Sequence, residues 1–258
     1  MNKRSFSKFG LILLVSVGLI FFINEHWIQA ETKKTVNTAS ISESVAKKQT
    51  KTTSSSESVP PSIQLDVPLV NQMDEPALYN GCEVSSLTML LQYAGVEVSK
   101  NDLAAKLKSV PIIDEDGYMG NPNKAFVGDI TGGGEGGLGV YHKPVANLAK
   151  KYISKKKVND ITGSSFDDLL KQVAAGNPVW IITTANFVPV DSFETWETAE
   201  EDLEITYDMH SVVVTGYDAD SIYINNPYGE KDQQLDKADF VAAFEQMGSQ
   251  AIYLDNTL

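Results

Sequence analysis

The sequence contains one cysteine, Cys82, and one arginine, Arg4. A lone cysteine excludes an intrachain disulfide framework. With 21 basic against 34 acidic residues and a formal net charge of −13, the chain has little with which to grip phosphates, and phosphate contacts drive nucleic-acid affinity. Nucleic acid is therefore excluded as a partner, and an anionic wall or lipid surface should repel the chain. Histidine is scarce too: only His142 and His210 lie beyond the first thirty residues. One thiol and two such imidazoles do not make a zinc site, and no metal or cofactor is expected. The acidic cluster Asp114-Glu115-Asp116-Gly117 lacks the remaining ligands of a calcium loop. The run Gly132-Gly133-Gly134-Glu135-Gly136-Gly137 formally matches a dinucleotide fingerprint, but it follows no expected strand and opens no expected helix. It reads instead as a flap, a cleft wall or an ordinary surface loop.

The N-terminus carries Lys3, Arg4 and Lys8, then an apolar run from Phe9 to Ile23 interrupted by Gly10, Ser16 and Gly18, then the polar exit Asn24-Glu25-His26. About fifteen apolar residues is nearer the core of an export signal than the roughly 20 a membrane-spanning helix needs. Ala30 offers a cleavage edge; retention of residues 1–30 as an N-terminal anchor is the alternative. Either way the rest of the chain is expected outside the cytoplasm, secreted or at the cell surface of a bacterium, with any membrane contact confined to that anchor. Residues 31–60 hold Ser, Thr and Lys with almost no large apolar side chains, so they bury too little surface to offset the entropy of ordering. They read as a disordered tether. Pro60-Pro61 closes it, and residues 61–258 are expected to form one domain, a size at which a single core still suffices. A monomer is the expectation.

Within that domain, Ile63 to Val70 alternates like a half-buried strand broken at Pro68. Val84, Leu87, Leu90 and Leu91 recur at helical spacing after the turn residues Tyr79-Asn80-Gly81, and Gly95 stops the run. Further helices are predicted from Ser99 to Leu107, Pro144 to Lys151, Ser165 to Ala174 and Lys237 to Gln246. Residues 109–139 read as a long loop, and the acidic stretch Glu194 to Asp208 as a solvated face, or a selector of basic peptides by electrostatic attraction. Strands are predicted at Pro178 to Thr183 and Ala251 to Leu254, with a hairpin of Ser211 to Tyr217 and Ser221 to Asn226 between them. Helices early and antiparallel strands late make an α+β fold.

An exported chain tends not to carry an idle thiol, which oxidises and mispairs. Cys82 starts a helix, where unpaired N–H groups and the helix dipole favour thiolate; the alternative is a small buried hydrophobe. Gln72 could aim an amide at a developing oxyanion, helped by the N–H of Cys82. A thiolate needs an imidazole partner. His210 stands at the mouth of an apolar strand, whereas His142 lies in a Gly-rich segment and reads as a helix-entry residue. Asn226 could orient the imidazole. If Ala219 centres the hairpin, Asn226 falls opposite Val212, on the face that holds His210; an even-length turn would put them on opposite faces.

The segments LDVPLVNQMDEPALYNGCEVSSLTMLLQYAGV and HSVVVTGYDADSIYINNPYGE, with GVYHKPVANLAKKY and GNPVW between them, resemble the stand-alone C39-like cysteine peptidases, papain-fold relatives of the leader-cleaving domains of bacteriocin exporters. The resemblance runs from Ile63 to the C-terminus. It implies Cys82 as nucleophile, Gln72 as oxyanion donor, His210 as general base and acid, Asn226 as orienter, and a peptide or protein as substrate. Two positions depart from the pattern: the orienter is commonly Asp, and the stretch from Gln72 to Cys82 is longer than in the exporter domains. No exporter portion accompanies the domain, so a leader-peptide substrate is not implied. A cell-wall amidase or endopeptidase, or a silent binding platform on the same fold, are the other expectations.

Overall fold

The computed structural model describes residues 60–134 and 136–256. The expected export signal, 1–30, and the expected tether, 31–60, save its last residue Pro60, lie outside the described residues. In chain order come β1 (Ile63–Gln64), α1 (Cys82–Tyr93), α2 (Lys100–Ala104), β2 (Ser109–Val110), β3 (Phe126–Gly128) and β4 (Gly137–Gly139). They are followed by α3 (His142–Ala149), β5 (Val158–Asp160), α4 (Phe166–Ala174), β6 (Val179–Thr184), β7 (Glu194–Glu197) and β8 (Asp202–Ile205). The chain ends in β9 (Met209–Tyr217), β10 (Ser221–Asn226), β11 (Glu230–Asp236), α5 (Lys237–Gln246) and β12 (Ala251–Leu254).

A seven-stranded sheet runs β11-β10-β9-β6-β12-β5, with β1 pairing β9 off that path. Its neighbours are antiparallel. β9 is buried along its whole length; successive side chains point to opposite faces, so both faces of this strand are covered. α1, α4 and α5 pack on the sheet. The result is an α+β fold, with N-terminal helices on a C-terminal antiparallel sheet.

α1 is the central helix. Cys82 through Leu91 are all buried, the mark of a helix enclosed on every side rather than laid on a surface. Small polar side chains permit this. Ser86 Oγ donates to the carbonyl of Ser211 at 3.0 Å and Thr88 Oγ1 to Val84 O at 2.8 Å, so neither hydroxyl is left unpaired. Trp180, fully buried on β6, donates its indole N–H to Glu83 O at 3.1 Å. The start of α1 is thereby tied to β6 and β9 together.

The predicted helices and the strands β6, β9, β10 and β12 are present within a few residues of their expected ends. Four regions differ. The strand expected from Ile63 to Val70 is only two residues long; Leu65 N–H still donates to Thr215 O of β9 at 2.8 Å, and the pairing with β9 goes no further. The 109–139 loop holds the small sheet β2-β3-β4, and the acidic 194–208 stretch folds as the hairpin β7-β8. That hairpin hides Trp196 and Ile205 in a satellite core with Val127 and Leu138. β11, too polar to read as a strand, borrows its order from the neighbouring β10.

Candidate active site

Cys82 opens α1 directly after Gly81, which supplies no side-chain cap. A Cβ at Gly81 would lie 2.5 Å from Leu78 Cβ, so only glycine lets the chain turn this tightly into the helix. The thiol itself is buried. Burial, and after it the neighbouring Glu83 carboxyl, push the Cys82 thiol well above its ordinary range; the N–H of Ser211 acts in the opposite direction. The helix terminus alone would favour thiolate. Desolvation outweighs it here, because a buried charge loses far more hydration than a helix end returns. In this arrangement the sulfur carries its proton.

Ser211 follows His210 on β9, so the residue that meets the thiol is next to the imidazole. The hairpin register that brings Asn226 to His210 has an unexpected origin. Near its turn β9 and β10 pair as Tyr217 with Ile222 and Gly216 with Tyr223, the even-length arrangement. A bulge between Tyr223 and Ile224 then shifts the pairing to Val214 with Ile224 and Val213 with Asn225. A one-residue slip flips every later side chain to the other face. The bulge restores the face on which Asn226 meets His210.

His210 Nε2 lies 3.0 Å from Asn226 Oδ1. The same oxygen accepts the backbone N–H of Tyr228 at 3.1 Å. A backbone N–H can only donate, which identifies that atom as oxygen, and so His210 Nε2 must carry the ring proton. Nδ1 is left with a free lone pair. Asn226 is held from its other end by donating Nδ2 to Gln233 Oε1 at 2.9 Å. The Tyr228 ring stacks on the imidazole with centroids 4.8 Å apart and planes at 10°. Burial drives the His210 pKa down to about 4, against the Asn226 hydrogen bond. The imidazole is therefore neutral at pH 7, with one defined tautomer.

Gln72 is buried between the residue that follows Asn226 and the turn that precedes Cys82. Its N–H donates to Pro227 O at 2.7 Å, the residue after Asn226, and its carbonyl accepts from Leu78 N at 2.9 Å. Its amide Nε2 donates to the carbonyls of Leu78 and Tyr79 at 3.2 and 3.0 Å, while Oε1 is buried without a partner. The amide thus clamps the turn that leads into Cys82, and its donors face backbone carbonyls. Lys100 braces the same long connection, its ammonium donating to Asp74 O and Pro76 O at 2.7 and 2.6 Å. The Gly-rich segment flanks it: Tyr79 and Asn80 N–H donate to Thr131 O and Ile130 O, and Asn80 Nδ2 to Asp129 O. The other candidate imidazole, His142, is held by Asp160 at 2.6 Å on the edge strand β5.

Glu83 escaped the sequence reading. It is fully buried next to Cys82, with Oε1 accepting from Val140 N at 2.8 Å and Oε2 without a partner. Acidic residues in a first helical turn are ordinarily solvated and favoured by the dipole, so nothing marked this one out. The available signal was an acid within an otherwise apolar and small-residue helix, directly after the only cysteine.

The Peptidase_C39-like pattern matches residues 64–252. The chain belongs to the Peptidase_C39-like family. It is 53% identical over 190 residues to the uncharacterized protein YvpB of Bacillus subtilis (strain 168), covering 74% of this chain and 75% of that protein. It is also similar to the crystal structure of a candidate C39-like peptidase from Bacillus anthracis. That match has a TM-score of 0.72 and 47% identity, over 75% of this chain and 97% of that one. The matched C39-like region contains Gln72, Cys82, Glu83, His210 and Asn226.

Proposed function

We propose that this chain is an exported cysteine peptidase that cleaves peptide bonds through Cys82, His210 and Asn226. The observation that carries the reading is the tautomer of His210: Nε2–H is spent on Asn226, and the lone pair of Nδ1 remains to take a proton, on the residue directly before the Ser211 whose N–H meets the helix-terminal thiol. In the proposed reaction Nδ1 accepts the Cys82 proton as sulfur attacks the peptide carbonyl. The oxyanion is held by the N–H of Cys82 and, once it lets go of one carbonyl, by the Gln72 amide. His210 then protonates the leaving amine, which departs. Water gives a proton to Nδ1 and attacks the acyl-enzyme, and the returning proton frees the thiol with release of the acid product. Exposed Met73, Tyr79 and Tyr228 lie within three residues of Gln72, Cys82 and Asn226 in sequence and offer apolar surface to an extended peptide. The export signal accounts for the isolation of this thiol in a chain without disulfides.

One observation favours a second reading, a silent binding platform. The thiol is buried and protonated, and the Gln72 donors are engaged. Incubating the full chain with a peptide library and with iodoacetamide, alongside Cys82→Ala and His210→Ala, separates the two. The peptidase reading expects cleavage by the wild type that both substitutions abolish. Cleavage that survives Cys82→Ala would sink the mechanism; no cleavage, with alkylation as slow as that of an ordinary thiol of pKa about 8.5, would establish the platform.

A further inference from the structure

The buried carboxyl of Glu83 plays no part in the reaction as written above, although it lies against the sulfur. Room for it has been built. Gly139, at φ +123°, stands where any Cβ would collide with Glu83 Oε1 and with Met209 Cε. Val140 N–H holds Oε1, the Trp180 indole holds the backbone carbonyl, and Oε2 is buried with no partner. No lysine pairs with the carboxyl among the described residues. A buried carboxylate without a cation is costly, whereas the acid form is not, and it has an O–H to donate.

Resting on the peptidase reading, we propose that Glu83 is a positioning residue for the thiol, working in its protonated form. Its unoccupied oxygen donates a hydrogen bond to the Cys82 sulfur once the thiol proton has moved to His210 Nδ1. The Glu83 proton stays on oxygen throughout, so the step adds no charge and needs no co-reactant. Ionisation of Glu83 would reverse the effect, setting a negative charge against the sulfur and holding the thiol protonated. The titratable groups facing Glu83 are Cys82 on its own helix and Tyr228 from the β10–β11 turn; the phenol is itself raised by burial and by both of these neighbours. From β9 and β6 it meets uncharged Met209 and Trp180. Burial lifts the Glu83 pKa to about 7, against the N–H of Val140, its own N–H and the neighbouring Cys82 thiol. Both forms are therefore reached near neutral pH.

The test is the pH profile of iodoacetamide alkylation of Cys82 in the full-length chain, read by intact mass between pH 5 and 9, for wild type and Glu83→Gln. An isolated thiol alkylates faster as pH rises. Wild type is expected to show a break near pH 7 above which the rise is suppressed. Glu83→Gln, which keeps a neutral donor, should lose the break and react about tenfold faster at pH 8, the effect of one unit in thiol pKa. Parallel profiles for the two proteins would overturn the proposal. Should the variant not fold, 13C-carboxyl NMR of the wild type takes its place: a Glu83 carboxyl that titrates near 7 upholds the idea, and one that titrates at an ordinary carboxylate pH overturns it. Alkylation needs no peptide cleavage, so the two readings fail separately. The alkylation pattern without any cleavage would end the peptidase reading alone, and cleavage without the pattern would end the role of Glu83 alone.

Discussion

The oxygen of Asn226 accepts from two donors, the N–H of Tyr228 and the ring Nε2–H of His210. Asp at this position keeps both bonds and adds a full negative charge, which favours imidazolium. Asn226→Asp is therefore expected to move the acid limb of the pH–rate profile upward by about one unit or more, measured as kcat/KM against pH. Asn226→Ala leaves the buried Nε2–H unpaired and should cost roughly 1–3 kcal/mol of stability, seen in urea unfolding. The residues that make this site were partly legible in the sequence, since a lone cysteine after Asn80-Gly81 and a histidine before an apolar strand are both unusual. Glu83 was not legible. Whether a carboxyl is solvated or enclosed depends on Gly139, Val140 and Trp180, which come from distant parts of the chain.

At the scale of elements, the connection between Gln72 and Cys82 is held by hydrogen bonds from several parts of the chain, and Lys100 at the start of α2 supplies two of them, the ones that reach Asp74 and Pro76 with a charged donor. Lys100→Met should leave Asp74 O and Pro76 O without their charged donor and lower stability by roughly 1.5–3 kcal/mol. Hydrogen exchange is the informative measurement: faster exchange is expected at residues 72–80, with α1 unchanged. Uniform loosening of the whole domain would count against a local brace. Legibility followed burial here too. β6 and β9 are apolar runs bounded by turn residues, so they could be read directly. β7 and β8 carry charges on half of their positions and β11 on four of seven, and they are strands because an adjacent strand accepts and donates their hydrogen bonds. The two- and three-residue strands of the 109–139 region hold too few residues to display a period.

For the molecule as a whole, two buried groups of the site act on stability with opposite sign. Glu83 is raised from 4.5 to about 7, so its contribution is complete below pH 4.5 and is lost as pH rises through 7. His210 is lowered from 6.5 to about 4, so its contribution is complete above pH 6.5 and is lost as pH falls through 4. Each is worth roughly 3 kcal/mol across its window, and between pH 4.5 and 6.5 they largely cancel. Glu83→Gln should therefore lose stability on acidification from 6.5 to 4 more steeply than wild type, and His210→Gln should lose it on going from 4.5 to 7. Denaturant melts at three pH values check both slopes; equal slopes in all three proteins would mean that neither group is buried as described.

The sequence by itself determined that the chain carries a single thiol, the α+β order of helices and strands, the family, and the pairing of Cys82 with His210 as candidates. Those features are local: a helix start, an apolar strand, a residue type that occurs once. Tertiary structure alone decided the rest. It set the bulge that returns Asn226 to the His210 face, the tautomer that follows, the engagement of Gln72 with backbone carbonyls, and the enclosure of Glu83. Each of these depends on which distant backbone groups and side chains surround an atom, and hydrogen bonding and desolvation respond to that surrounding rather than to position along the chain.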